Sequence, residues 1–378
     1  MKKFTKFAAI ALAFAMCAMT FASCGSNAND VYLIGGTGPL TGEYASYGTS
    51  VQNGAMLAIN EINANGGLNG VEFKPDMKDD QGDGEKAQNG FNSLYSAGMH
   101  ASIGSVTSGA CVAFSTAAKE NGVFVLTPSA SDAKVIAVGD NVFRVCFGDP
   151  DQGVIAANEL SANYTKVGCL YDTSIDYSKG LFDAFEAQMA VNGKVAGTDY
   201  VAIGYPEKTT DFATYIDQLK DAGCDVIFLP IYYEAAGLVA KAAAAKGYNV
   251  PVFGADGLDG VAKQIDDTVT APISYISPFD VNSTDAKIAK FVADYKAAYG
   301  AEPDQFAAGG YDAVMIIFEA MKKAGVNDVT ITAEELNTIL CNTLTAEDFS
   351  YTGLTGTNMV WDETGACTKA PMIIYVEK

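Results

Sequence analysis

The sequence predicts an α/β protein of two Rossmann-like lobes, each a parallel sheet with helices on its faces. Three observations predict it. Short apolar runs alternate with longer amphipathic segments almost throughout, the pattern of strand–helix–strand crossovers. The alternation runs twice, before about Phe147 and again after about Asp151. A chain of 378 residues also exceeds one ordinary core.

The elements follow in order. Lys2, Lys3 and Lys6 give a basic start, residues 7–22 are apolar or small, and Phe21-Ala22-Ser23-Cys24 follows. That is the layout of an export signal over residues 1–23. The apolar run is short of the roughly 20 residues that span a bilayer. A cysteine after small residues and before Gly25 resembles a lipobox, which makes Cys24 the lipidated first residue of the mature chain. An ordinary secretory signal with a chance cysteine is the alternative. Two acyl chains anchor stably where one does not, and residues 24–30 then read as a lipidated polar tether.

Strands are expected at Val31–Gly35, Val71–Lys78, Ala101–Gly104, Val123–Thr127, Lys166–Tyr171, Lys194–Gly204, Asp225–Leu229, Val250–Phe253 and Ile273–Ile276. Between them, Val51, Ala55, Ala58 and Ile62 recur at helical spacing over 49–64, and Asn65-Gly66-Gly67 stops that helix. Residues 211–223 begin on an N-cap aspartate and end on Gly223, and further helices are expected over 288–300 and 306–325. The Gly-Asp-Pro-Asp run at 148–151 and the stretch 274–284 mark crossovers between lobes.

Composition narrows the function classes. The formal net charge is −21; removing the leader takes away three lysines and no acid, which makes it −24. Such a chain disfavours nucleic acid and anionic membrane surfaces. At 49% hydrophobic residues it is no disordered acidic tail. Eight cysteines less Cys17 and Cys24 leave six: Cys111, Cys146, Cys169, Cys224, Cys341 and Cys367. None has CxxC or metal spacing, so buried free thiols are expected, with a Cys341–Cys367 disulfide as the alternative.

Enzyme signatures are missing. Residues 35–42, GGTGPLTG, depart from GxGxxG at Pro39 and Leu40 and lack the Lys-Ser/Thr of a P-loop. Residues 79–90, DDQGDGEKAQNG, fail as a calcium loop, with Gln81 at the third position and Gly90 at the twelfth. They read instead as an acidic strand end capping the next helix. The chain has one histidine, His100, and no GxSxG or HExxH. No cofactor or metal is expected.

Three loops remain, each at a strand's carboxyl end, where a two-lobe cleft gathers ligand groups. Residues 104–110 (GSVTSGA) and 127–132 (TPSASD) offer hydroxyls and free backbone N–H groups suited to a carboxylate. Plain N-capping by Ser108 and turns at Ser129 and Ser131 compete with that reading. Residues 253–260 (FGADGLDG) place Asp256 in a glycine-bracketed loop able to take an ammonium group. A zwitterion needs both, because burying either charge unpaired costs several kcal/mol.

From residue 31 onward the chain resembles the leucine/isoleucine/valine-binding proteins of branched-chain amino acid ABC transporters, type I periplasmic binding proteins. The resemblance rests on an ordered series that includes GPLTGEYASYG, INEINANGGLNG, IGSVTSGA, NGVFVLTPSAS, YDTSIDYSKG, FGADG, GYDAVMIIFEAMKKAG and WDETG. It implies a non-enzymatic, monomeric capture protein closing about three hinge crossovers. Residues 31–148 with 278–357 form lobe 1, and 149–277 with 358–378 form lobe 2. It implies that Ser108, the Ser129 backbone and Ser131 hold the ligand's carboxylate, and that Asp256 holds the ammonium, helped by the Ser129 carbonyl and the Ser131 hydroxyl. Tyr177 and Tyr232 close from the second lobe, and Tyr47 lines the lip from the first. The implied partners are an amino acid ligand and a membrane permease with its ATPase, reached from the cell surface or periplasm through the Cys24 anchor. Relatives of this fold that take amides, urea or aromatic carboxylates, and a sensory ectodomain, are the alternatives.

Overall fold

The computed structural model describes residues 31–376; the expected leader, Cys24 and tether lie outside the described residues. The first sheet is built by β1 (Val31–Gly38), β2 (Glu72–Asp79), β3 (Ala101–Ser102), β4 (Val125–Thr127) and β5 (Val142–Arg144), in the order β2-β1-β3-β4-β5. All its pairings are parallel. Helices α1 (Ala45–Ala64), α2 (Gly84–Ser96), α3 (Ser108–Glu120) and the short α4 (Ala133–Ala137) connect these strands.

After β5 the chain crosses over. α5 (Asp149–Asn163), β6 (Val167–Asp172), α6 (Asp176–Val191), β7 (Tyr200–Tyr205), α7 (Ala213–Asp221), β8 (Val226–Leu229), α8 (Tyr233–Ala245), β9 (Val252–Gly254) and β10 (Ile273–Ser277) follow. They build the second sheet, ordered β11-β10-β9-β8-β6-β7, in which the last strand, β11 (Met372–Tyr375), is antiparallel to β10. Between β10 and β11 the chain returns to the first sheet's side as α9 (Ala286–Tyr299), α10 (Gln305–Lys323) and α11 (Ala333–Leu344).

Local chemistry accounts for the differences from the expected elements. The strand expected over 194–204 begins only at Tyr200: Gly193 and Gly197 take positive φ, and Asp199 accepts from the Val195 N–H, so 193–199 is a turn. The Trp361 indole donates to the Arg144 carbonyl at 2.9 Å and the Arg144 N–H to the Gly365 carbonyl at 3.1 Å, which holds 361–365 against β5. Only β11 reaches the second sheet. β5 is a strand outside the expected set, just ahead of the Gly-Asp-Pro-Asp run. All six cysteines are free, so Cys341 and Cys367 do not pair. Asp83 caps α2 by accepting from the Lys86 N–H, the role expected of that acidic loop.

Helices α1 and α10 cross closely enough to fix the mouth of the cleft. A methyl group on Gly54 would sit 1.9 Å from the Ala307 carbonyl oxygen, and one on Gly310 2.4 Å from that of Val51. Each glycine therefore admits the other helix's backbone. This crossing aims the start of α10 at the loop after β9. There the Gln305 side-chain amide donates to the Asp256 carbonyl at 2.8 Å and the Gln305 N–H to Asp259 Oδ2 at 3.0 Å. A single apolar cluster runs from Tyr32 and Val51 beside the first sheet, through Tyr47, Tyr177 and Tyr232, to Ile227 and Leu229 of the second.

Candidate ligand-binding site

The inner site forms where strand ends from both sheets converge. Tyr47 comes from the first turn of α1, Ser108 opens α3, and Ser129 follows β4. Tyr177 comes from the first turn of α6, Tyr232 precedes α8, and Asp256 follows β9. These six line one small cavity of about 10 Å³ together with Val106, Thr107, Gly257 and Phe306. That space holds a single water at most, because tyrosine rings fill the rest. Tyr177 and Tyr232 stack at 4.8 Å and 15°, and Tyr47 packs edge-on against Tyr232 at 5.5 Å.

The polar groups there are tied to one another. The Tyr177 hydroxyl donates to Asp256 Oδ1 at 2.7 Å and accepts from the Gly257 N–H at 2.7 Å. The Asp256 N–H donates to Gln152 Oε1 at 2.9 Å. The Tyr47 hydroxyl donates to the Gly257 carbonyl and accepts from the Tyr233 N–H at 3.1 Å, which bridges α1 to the second sheet's loops. The Ser129 hydroxyl donates to the Val106 carbonyl at 2.8 Å. The Ser108 hydroxyl accepts from the Asp132 N–H at 3.3 Å and does not cap α3, whose N-cap is Thr107.

Electrostatics singles out Asp256. It is 5% exposed, and burial pushes its carboxyl up to about 6 despite the donors from Tyr177 and Gly257. No lysine or arginine forms an ion pair with it among the described residues. Lys369 lines a second cavity of about 10 Å³ behind it, but that ammonium donates to Thr355 Oγ1 at 2.7 Å. A buried carboxyl so raised is a natural partner for an incoming cation. Burial likewise drives the phenols of Tyr47, Tyr177 and Tyr232 well above their ordinary range, so all three stay neutral donors.

Ser131 is not brought to this cavity. Its carbonyl accepts from Arg144 Nη1 at 2.9 Å and from the Asp149 N–H at 2.9 Å, so it braces the crossover. Its hydroxyl makes no hydrogen bond of normal length, although it faces the buried Asp149 carboxyl closely enough to lower that group's pKa. The net shift of Asp149 is still upward, from burial first and then from Asp256.

Sequence reasoning missed Gln152, Gln305 and Phe306. Gln152 follows the Gly-Asp-Pro-Asp run and Gln305 opens α10, and both reach Asp256 across a long stretch of sequence. The only local signal was a glutamine or phenylalanine beside a helix start.

Outside this closed site lies an open cleft of about 780 Å³, walled by both sheets' loops and sharing Thr107 and Tyr232 with the inner cavity. No helix among the described residues is long and apolar enough to cross a membrane.

Comparison with known proteins gives the same lineage. The family model described as periplasmic binding protein matches residues 32–376. A Leu/Ile/Val-binding protein homolog of Brucella melitensis is 31% identical over 300 residues, 78% of this chain and 80% of that protein. The Leu/Ile/Val-binding protein BraC3 of Rhizobium johnstonii is 30% identical over 295 residues, 77% of this chain and 79% of that protein. The branched-chain amino acid transporter substrate binding protein LivJ from Streptococcus pneumoniae, solved with isoleucine, superposes with a TM-score of 0.80 at 29% identity, covering 91% of this chain and 95% of that one. A Rhodopseudomonas palustris solute binding protein solved with a dihydroxybenzoic acid shares the fold, with a TM-score of 0.81 at 22% identity and coverage of 92% and 94%. The chain belongs to the periplasmic binding protein family, in its branched-chain amino acid branch, a family of substrate-binding transport proteins and not of enzymes.

Proposed function

We propose that this protein captures an amino acid, a branched-chain one first of all, between its two lobes and presents it to an ABC permease from a lipid anchor on Cys24. The lobes are residues up to the first crossover with α9–α11, and α5–β10 with β11. The observation that carries the reading is Asp256, a buried carboxyl raised by burial and engaged only by neutral donors. The ligand's ammonium displaces the Tyr177 hydroxyl from Asp256 Oδ1 and lies against the stacked Tyr177 and Tyr232 faces, which add cation–π attraction. The ligand's carboxylate meets the backbone N–H groups that open α3, with the Ser108 hydroxyl and the Ser129 N–H beside it. Ser131 supports this arrangement from behind, through Arg144 and Asp149. Tyr47 is the latch: its two hydrogen bonds to Gly257 and Tyr233 exist only when the lobes are together. Ligand favours the closed state by the contacts it makes with both lobes at once.

The test is a thermal-shift panel on protein stripped of ligand by unfolding and refolding. It contains the L-amino acids, urea, short amides and benzoate. A micromolar ligand at millimolar concentration stabilises by about 4 kcal/mol. Shifts confined to leucine, isoleucine and valine are expected. A shift with benzoate or an amide and none with any amino acid contradicts the reading.

A further inference from the structure

The outer cleft carries an inference of its own. Its acids are mostly engaged within the protein. Asp83 accepts from the Lys86 N–H, Asp172 from the Ser174 N–H, and Asp176 pairs with Lys134 at 2.5 Å. Lys208, the one basic residue lining the cleft, pairs with Glu207 at 3.4 Å. Among the described residues, two carboxylates are left with no side-chain hydrogen bond or ion pair: Glu43 on the first sheet's wall and Glu234, in the first turn of α8, on the second's. Each holds its proton more tightly than usual, chiefly from partial burial. Asp172 and Glu207 add to this for Glu43, and Glu43 itself does so for Glu234. Negative charge thus gathers on both walls of the cleft.

Two further residues, both largely buried, line the same space. Tyr205 is 2% exposed. Thr107, 6% exposed, has an unpartnered Oγ1 and lines both the outer cleft and the inner cavity. Tyr44 and Tyr232 meet edge-to-face at 4.8 Å beside them. Carboxylates, aromatic faces and hydroxyl acceptors in one water-accessible cleft make a site for an organic cation. A metal is a poor fit, since no cluster of three or more metal-ligating side chains occurs among the described residues.

We infer that the ligand range extends to amino acids bearing a distal ammonium or guanidinium group, the tail passing Thr107 and Tyr232 to lie between Glu43 and Glu234. This rests on the amino-acid reading of the inner site. The inner cavity, filled by tyrosine rings, offers a long side chain no other direction of comparable volume.

The experiment is calorimetric titration of the chain without its leader with L-leucine, L-arginine and agmatine, the decarboxylated arginine. Wild type is compared with the Glu43→Gln/Glu234→Gln double variant. Arginine binding is expected in the wild type. In the double variant it weakens by about tenfold or more, on the scale of two lost charge-assisted contacts, while leucine stays within about twofold. Leucine binding without arginine overturns this inference and leaves the inner site standing. Equal losses for leucine and arginine overturn it too, by showing a general effect on closure. Agmatine binding as tightly as arginine overturns it in favour of a free amine. Failure of both amino acids removes the amino-acid reading as well.

Discussion

The inner cavity and the outer cleft use carboxylates in opposite ways. Asp256 stands beside an enclosed cavity of about 10 Å³, where the Tyr177 hydroxyl already donates to its Oδ1. Glu43 and Glu234 line an open 780 Å³ cleft, and among the described residues no side chain forms an ion pair with either. Burial sets the worth of a charge: the enclosed carboxylate is strongly raised and depends on its partners, whereas the open pair is screened by water and salt. One acid in the inner site therefore carries more binding energy than two in the outer.

The comparison is broken most sharply at Asp256. Asp256→Asn is expected to lower leucine affinity by about 3–5 kcal/mol, the range for removing one partner of a buried ion pair. Equilibrium binding measures it, and a loss under about 1 kcal/mol places the ammonium elsewhere.

The same substitution has the opposite effect on the empty protein. Because the Asp256 pKa is raised in the folded state to about 6, its contribution to stability is fully present below about pH 4 and lost as pH rises through 6. Asparagine lacks that loss. Without ligand, Asp256→Asn is expected to be more stable than wild type at pH 7.5, by up to about 3 kcal/mol. The gap should close near pH 4. Thermal unfolding across this range tests it, and a gap independent of pH contradicts burial as the cause.

A smaller effect is expected at Tyr177. Tyr177→Phe removes the donor to Asp256 Oδ1 and the acceptor for the Gly257 N–H. The empty protein should lose about 1–3 kcal/mol in denaturant unfolding, the cost of leaving buried polar groups unpaired. Leucine affinity should fall by less than with Asp256→Asn, since the ammonium itself replaces that hydroxyl.

The smallest effect belongs to the outer cleft. Raising salt relieves repulsion between Glu43 and Glu234, so leucine affinity should rise by a few tenths of a kcal/mol, the scale of an exposed charge pair. In the Glu43→Gln/Glu234→Gln variant, that salt dependence should vanish.

The parts of this account legible in the sequence are those with local signals. Strand–helix alternation marked β1, β6 and β8, and glycine brackets marked the loop that carries Asp256. The less legible parts depend on distant segments meeting. β5 has only three residues, too short to stand out in the sequence; it pairs with β4, and the Trp361 indole donates to its Arg144 carbonyl. Ser131 shares its loop with Ser129, but Arg144 and Asp149 draw it to the crossover. The outer cleft has no motif, because Glu43 and Glu234, which line it together, lie 191 positions apart.

The most direct test of the central claim is a pair of ligands on a pair of proteins: leucine and its deaminated analogue isocaproate, each titrated into wild type and Asp256→Asn. If the buried carboxylate holds an ammonium, wild type binds leucine far more tightly than isocaproate, and the substitution removes that preference without weakening isocaproate. If leucine and isocaproate bind wild type alike, or if the preference survives in Asp256→Asn, Asp256 does not hold an ammonium and the account of the inner site is wrong.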